Sequence, residues 1–110
     1  MGMRQNIEFD YGEGKKVYFY SHWLGGDKNT SPLAQELREA LAKRWRWNDP
    51  SYLVRVIISY ILKDDIDGET GYGIAPYQID DEFPNIEVDL ENQTVNGMSY
   101  EEFIDYMPEE

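Results

Sequence analysis

The sequence predicts a single α+β domain, a small antiparallel sheet with elements in the order β-β-α-α-β-β-α and its helices packed on one face. Three observations carry this. Apolar and polar residues alternate on both sides of Gly12-Glu13-Gly14, two later stretches each open on a capping residue followed by proline, and the last third returns to a period of two before a short capped helix. At 110 residues the chain is long enough for one core and too short for two, so residues 1–110 are read as one domain with frayed termini.

Each element has its own local reason. In "QNIEFDYGEGKKVYFYSHW" the alternation places Ile7, Phe9 and Tyr11 on one face of a strand, and Val17, Phe19, Ser21 and Trp23 on one face of the returning strand. The other face carries Glu8, Asp10, Tyr18, Tyr20 and His22, too aromatic for a wholly solvated surface. Ser31 before Pro32 predicts an N-cap and a helix, with Leu33, Leu37, Ala40, Leu41 and Arg44 on one stripe and Glu39 and Lys43 as an i to i+4 pair. Asp49 before Pro50 repeats the device and opens a largely buried helix bearing Leu53, Val54, Ile57, Ile58 and Ile61.

"GYGIAPYQI" reads as a strand that Pro76 pushes toward a sheet edge, and "NIEVDLENQTV" as one strand in which Ile86, Val88 and Leu90 alternate with Glu87, Asp89 and Glu91. Ser99 with Glu102 forms a capping box that opens a last helix, where Tyr100, Phe103, Ile104 and Met107 are available for packing.

Charge divides the chain sharply. Residues 1–63 hold all 10 basic residues and 7 acidic ones, a net +3, whereas residues 64–110 hold 15 acidic residues and no Lys, Arg or His. A surface of that sign repels nucleic acid and anionic membranes, so direct nucleic-acid binding and membrane association are not expected, and a basic protein surface, a multivalent cation or water remains as the partner. With no cysteine, no apolar run of membrane-span length and no charged-then-apolar leader at Met1–Asp10, the chain is expected to be soluble and unexported.

"DDIDGETGYG", at Asp64 to Gly73, looks at first like a calcium loop. With Gly68 at position 6 of such a loop, Asp65 and Asp67 fall correctly at 3 and 5, but Lys63 occupies position 1 and Ile74 position 12. The ligands at both ends are lost, and no metal site is assigned. The stretch reads instead as a glycine-rich stop after a helix, yet Asp64 and Asp65 add negative charge to an already negative helix end, which a positive partner would relieve. Asp64, Asp65, Asp67 and Glu69, with Glu87, Asp89 and Glu91, are therefore the candidate acidic interaction face.

Other chemistry is thin. His22 is the only imidazole, which excludes a His-based metal triad, and Ser21 points to the opposite strand face, so no nucleophile and base meet there. No catalytic residue and no cofactor is assigned. "KRWRWNDP" has the ingredients of a stacking site, and Tyr18, Tyr20, His22, Arg44, Trp45, Arg46 and Trp47 together form a candidate pocket for a flat, nucleotide-like anion. The plainer reading has one Trp plugging the junction between two helices while Arg44 and Arg46 reach acids of the C-terminal half.

The succession "VYFYSHWLGG", "RWRWNDPSYLVRVIISYIL", "DDIDGETGYGI", "NIEVDLENQTV" and "SYEEFI" resembles a group of small bacteriophage- and prophage-encoded proteins. No functional residue carries over from that group. The resemblance implies a small phage protein of the bacterial cytoplasm, where accessory genes often disable host machinery or defence. Three functions are compatible with all this: a non-enzymatic acidic protein that inhibits a host protein through a nucleic-acid-mimicking face, a module that binds or sequesters a nucleotide-like ligand, and a structural or assembly protein that forms a homo-oligomer.

Overall fold

The helix starts follow from local chemistry. In the computed structural model, which describes residues 3–79 and 82–106, Ser31 Oγ accepts the Ala34 N–H at 3.0 Å and opens α1 (Pro32–Leu41). Asp49 Oδ1 accepts the Tyr52 N–H at the start of α2 (Pro50–Leu62). Ser99 and Glu102 exchange both bonds of a capping box, at 3.1 and 2.9 Å, and open α3 (Tyr100–Asp105). Met107 and the frayed ends expected at the termini lie outside the described residues.

The sheet has six strands: β1 (Gln5–Asp10), β2 (Lys16–Ser21), β3 (Tyr72–Ala75), β4 (Ile86–Asp89), β5 (Thr94–Val95) and β6 (Met98–Ser99), in the spatial order β3-β2-β1-β4-β5-β6. It corrects the expected antiparallel sheet in two respects. First, β4 runs parallel to β1, pairing Glu8 with Glu87 and Asp10 with Asp89, so the sheet is mixed. Parallel pairing needs a crossover, and the connection from β3, beyond β2, to β4, on the far side of β1, is one.

Second, the single strand expected over Asn85 to Val95 is broken. The Asp89 carboxylate accepts the N–H groups of Glu91 and Asn92, each at 3.1 Å, and turns the chain so that β5 folds back on β4. Asn96 and Gly97, both at positive φ (52° and 87°), then make the two-residue hairpin turn that Asn-Gly favours and produce β6.

One face of the sheet carries the core. Ile7, Phe9, Phe19, Ile86 and Val88 meet Leu33, Leu37 and Leu41 of α1, Leu53, Ile57 and Ile61 of α2, and Tyr100 and Phe103 of α3 in one buried cluster. The crossover is tied to the beginning of β1 by two buried amides. Gln5 Nε2 donates to Pro84 O (2.8 Å) and Gly26 O (2.9 Å) while its Oε1 accepts from Ser31 Oγ (2.9 Å). Asn6, on the face away from the core, exchanges two hydrogen bonds with the Ile79 backbone.

Arg38 was not distinguished from the polar side of α1 by its sequence, yet only 7% of its surface is exposed. Its guanidinium donates to Phe103 O (2.8 Å), Asn29 O (2.7 Å) and Gln35 Oε1 (3.0 Å) and lies over the Phe103 ring. Burial lowers its pKa from the usual arginine value. The spacing from Ala34 and to Leu41 was the available signal, since both place Arg38 on the buried arc. Arg44, expected on that arc, lies beyond the end of α1 at φ 60° and is exposed.

Candidate functional site

The face of the sheet opposite the core is acidic at its centre. Because side chains at paired positions of parallel strands share a face, Glu8 and Asp10 of β1 stand beside Glu87 and Asp89 of β4, and all four line a shallow cleft of about 290 Å³ closed by Thr94 and Gly97. Among the described residues one cation reaches this group: Lys16 Nζ lies 3.2 Å from Glu8 Oε2. Glu8 also accepts a long bond from Asn85 Nδ2 at 3.5 Å.

The two aspartates are held differently from the two glutamates. Asp10 Oδ1 accepts the Gly12 N–H at 2.8 Å. Hydrogen bonds from the side chain and backbone of Asn92 hold the Asp89 carboxyl below the usual aspartate range, which keeps it ionised. Glu87 makes no side-chain hydrogen bond or ion pair among the described residues. The alternation alone places Glu8 and Asp10 on a mixed aromatic face; their pairing with β4 depends on a contact nearly eighty residues away in sequence.

The candidate acidic interaction face divides into two groups. Glu87 and Asp89 sit on β4 as expected, but Glu91 lies in the turn after it, its carboxylate packed against Gly12. The expected row of three carboxylates along one strand is replaced by two rows of two across β1 and β4. Asp64, Asp65, Asp67 and Glu69 lie elsewhere, in the exposed turns between α2 and β3, beyond the opposite edge of β2. These four form no ion pair among the described residues; Lys63, next to them, turns back to Glu36 Oε1 at 3.3 Å. No set of three or more His, Asp or Glu among the described residues is arranged to hold a metal ion.

The candidate aromatic pocket is also divided. Tyr18 and Tyr20 alternate with Phe19 and so project from the face away from the core, and Tyr20 Oη and His22 Nδ1 are 2.9 Å apart. His22 therefore bonds locally. Trp47 instead packs on the helix side, its ring 5.1 Å from that of Tyr100 and its Nε1 donating to Leu41 O at 3.2 Å. Arg44 stacks over Trp47 and pairs with Glu101, so the plain reading holds for one Trp at the helix junction and for Arg44, but not for Arg46, which pairs with no acid among the described residues.

Arg46 lies over Tyr52, and Trp45, 57% exposed, borders a surface cavity of about 270 Å³ with Lys43, Arg55 and Tyr60. The expected Glu39–Lys43 pair does not form. Glu39 accepts the Tyr60 hydroxyl at 2.6 Å, and Lys43 lies over the Trp45 and Tyr60 rings. The two halves of the aromatic set thus stand on opposite sides of the sheet, and the sheet separates the tyrosines from the tryptophans.

Compared with protein-family models, with curated proteins and with solved structures, the chain finds no match. No helix among the described residues is long and apolar enough to cross a membrane.

Proposed function

We propose that this protein is a non-enzymatic acidic binding protein that engages a basic surface of another protein through Glu8, Asp10, Glu87 and Asp89. The observation that carries the reading is the in-register pairing of two acidic positions of β1 with two of β4. Adjacent strands lie about 4.8 Å apart, and like charges directly opposite one another cost on the order of 0.2–1 kcal/mol per pair. Lys16 offsets part of that cost at Glu8 and none of it is offset by an ion pair at Glu87. A basic partner would relieve the rest.

Along each strand the carboxylates recur about every 6.7 Å, a spacing on the scale of successive phosphates, which favours a partner surface that otherwise binds nucleic acid. In the setting implied by the phage resemblance, that partner is a host protein of the bacterial cytoplasm, a defence protein among the candidates.

The test is affinity capture from bacterial lysate with the wild-type chain and with the double variant Glu8→Gln/Glu87→Gln. These two glutamates are chosen because Asp10 and Asp89 also hold their own turns. The reading expects a protein retained by wild type, released by salt and lost with the folded double variant. A partner held equally by both chains would refute it.

A further inference from the structure

We infer that the free edge of β3 takes an extended, basic segment of another protein as an added strand, with one apolar side chain of that segment seated beside Phe19. This surface is separate from the cleft of Glu8 and Glu87, and the inference stands whether or not that cleft binds.

β3 is one of the two edge strands of the sheet. Its outward groups follow from the ladder. His22 N–H donates to Gly71 O at 2.8 Å, and hydrogen-bonded pairs alternate in an antiparallel ladder, so Gly73 and Ala75 turn their backbone groups toward β2. Tyr72 and Ile74 therefore present N–H and C=O away from the sheet, and neither makes another backbone bond among the described residues. Such an edge is a template for a further strand.

The edge is also apolar in a way that a mere solvent boundary is not. Ile74 is 59% exposed and Ile66 68% exposed. Between them a cavity of about 260 Å³ is lined by Phe19, Leu62 and Tyr72, on the core side of the sheet. That volume is below the roughly 300–1,000 Å³ of small-molecule sites and suits one side chain. In an added strand every second side chain points to this side, so a residue opposite β3 would enter the cavity while its neighbours point away.

Charge selects the occupant. Asp65 is on the cavity wall, and Asp64, Asp67 and Glu69 belong to the same segment between α2 and β3, all exposed and without an ion pair among the described residues. A second copy of a chain with net charge −12 is disfavoured at such a rim by repulsion. A segment carrying lysine or arginine around one aliphatic or aromatic residue satisfies the edge, the cavity and the rim together.

The test uses a random nine-residue peptide library panned on the full-length chain, with amide exchange followed by NMR. Enriched peptides are expected to carry Lys or Arg flanking an apolar residue, and to slow exchange of the Tyr72 and Ile74 amides. Ile74→Pro removes an outward N–H that the sheet does not use and is expected to weaken binding at least tenfold, as is Asp65→Lys/Asp67→Lys, which leaves the strand unchanged. No enrichment, enrichment of acidic peptides, a footprint on Glu8 and Glu87 instead, dimerisation through β3, or undiminished binding to either folded variant would overturn the inference.

Discussion

Glu8 and Glu87 stand opposite one another on adjacent parallel strands, and only Glu8 has a lysine within ion-pair distance. Glu87→Gln is therefore expected to raise stability by roughly 0.2–1 kcal/mol, the size of a relieved like-charge pair, while weakening the partner interaction. Urea unfolding at low ionic strength measures the first effect, and added salt should shrink it. A loss of stability would show that the pair is not repulsive.

The Tyr60 hydroxyl donates to Glu39, which pushes the tyrosine up to about 12 and holds the Glu39 carboxyl below its ordinary range. For Tyr60 the contribution is complete below the ordinary tyrosine pKa of 10.0 and is lost as pH rises through about 12. For Glu39 it is present above the ordinary value of 4.5 and is lost as pH falls through the lowered one. Tyr60→Phe should remove the alkaline dependence and reduce the acid one, where the Gln35 hydrogen bond to Glu39 persists, so its unfolding free energy should differ from wild type near neutral pH and approach it at either extreme. Parallel urea curves across pH read this directly.

Gly71 combines φ +99° with a Trp23 ring lying where a Cβ would stand. Gly71→Ala is expected to cost on the order of 1–3 kcal/mol through backbone strain and to push Trp23 outward, seen as a red shift in fluorescence. Unchanged stability and emission would contradict the packing of Trp23 on this turn.

Arg38 is a buried cation whose partners are carbonyl oxygens of Phe103, Asn29 and Gln35. Arg38→Ala removes all three hydrogen bonds and the packing on Phe103; Asn29 O loses its side-chain donor, while Phe103 O keeps the Tyr106 N–H and Gln35 is exposed, so the cost should be about 1–3 kcal/mol. Arg38→Lys, which lacks the planar fork, should recover only part of it. Equal stability of Lys and Arg at this position would argue against the fork geometry.

What was legible in the sequence was local. Ser31, Asp49 and Ser99 cap helices where their spacing said they would, because a cap needs only residues within one turn. Pro76 correctly consigned β3 to an edge. The pairing of β1 with β4 was hidden because nothing near Ile86 specifies a partner at Ile7, and with it went the register that sets Glu8 beside Glu87.

The break after Asp89 had a signal, since Asp with Asn three residues on favours a turn and Asn96-Gly97 favours a hairpin, but the alternation of Leu90 and Glu91 masked it. The aromatic set failed to assemble because Tyr20 and Trp47 belong to opposite faces, a relation that composition does not encode.

The central claim is that the paired carboxylates of β1 and β4 bind a basic protein surface. Its most direct measurement is the affinity of the captured partner for wild type and for Glu8→Gln/Glu87→Gln across a salt series. The account predicts affinity that falls steeply with salt for wild type, and a weaker, flatter dependence for the double variant. Affinity that stays constant from low to high salt, or is the same for both chains, would contradict it.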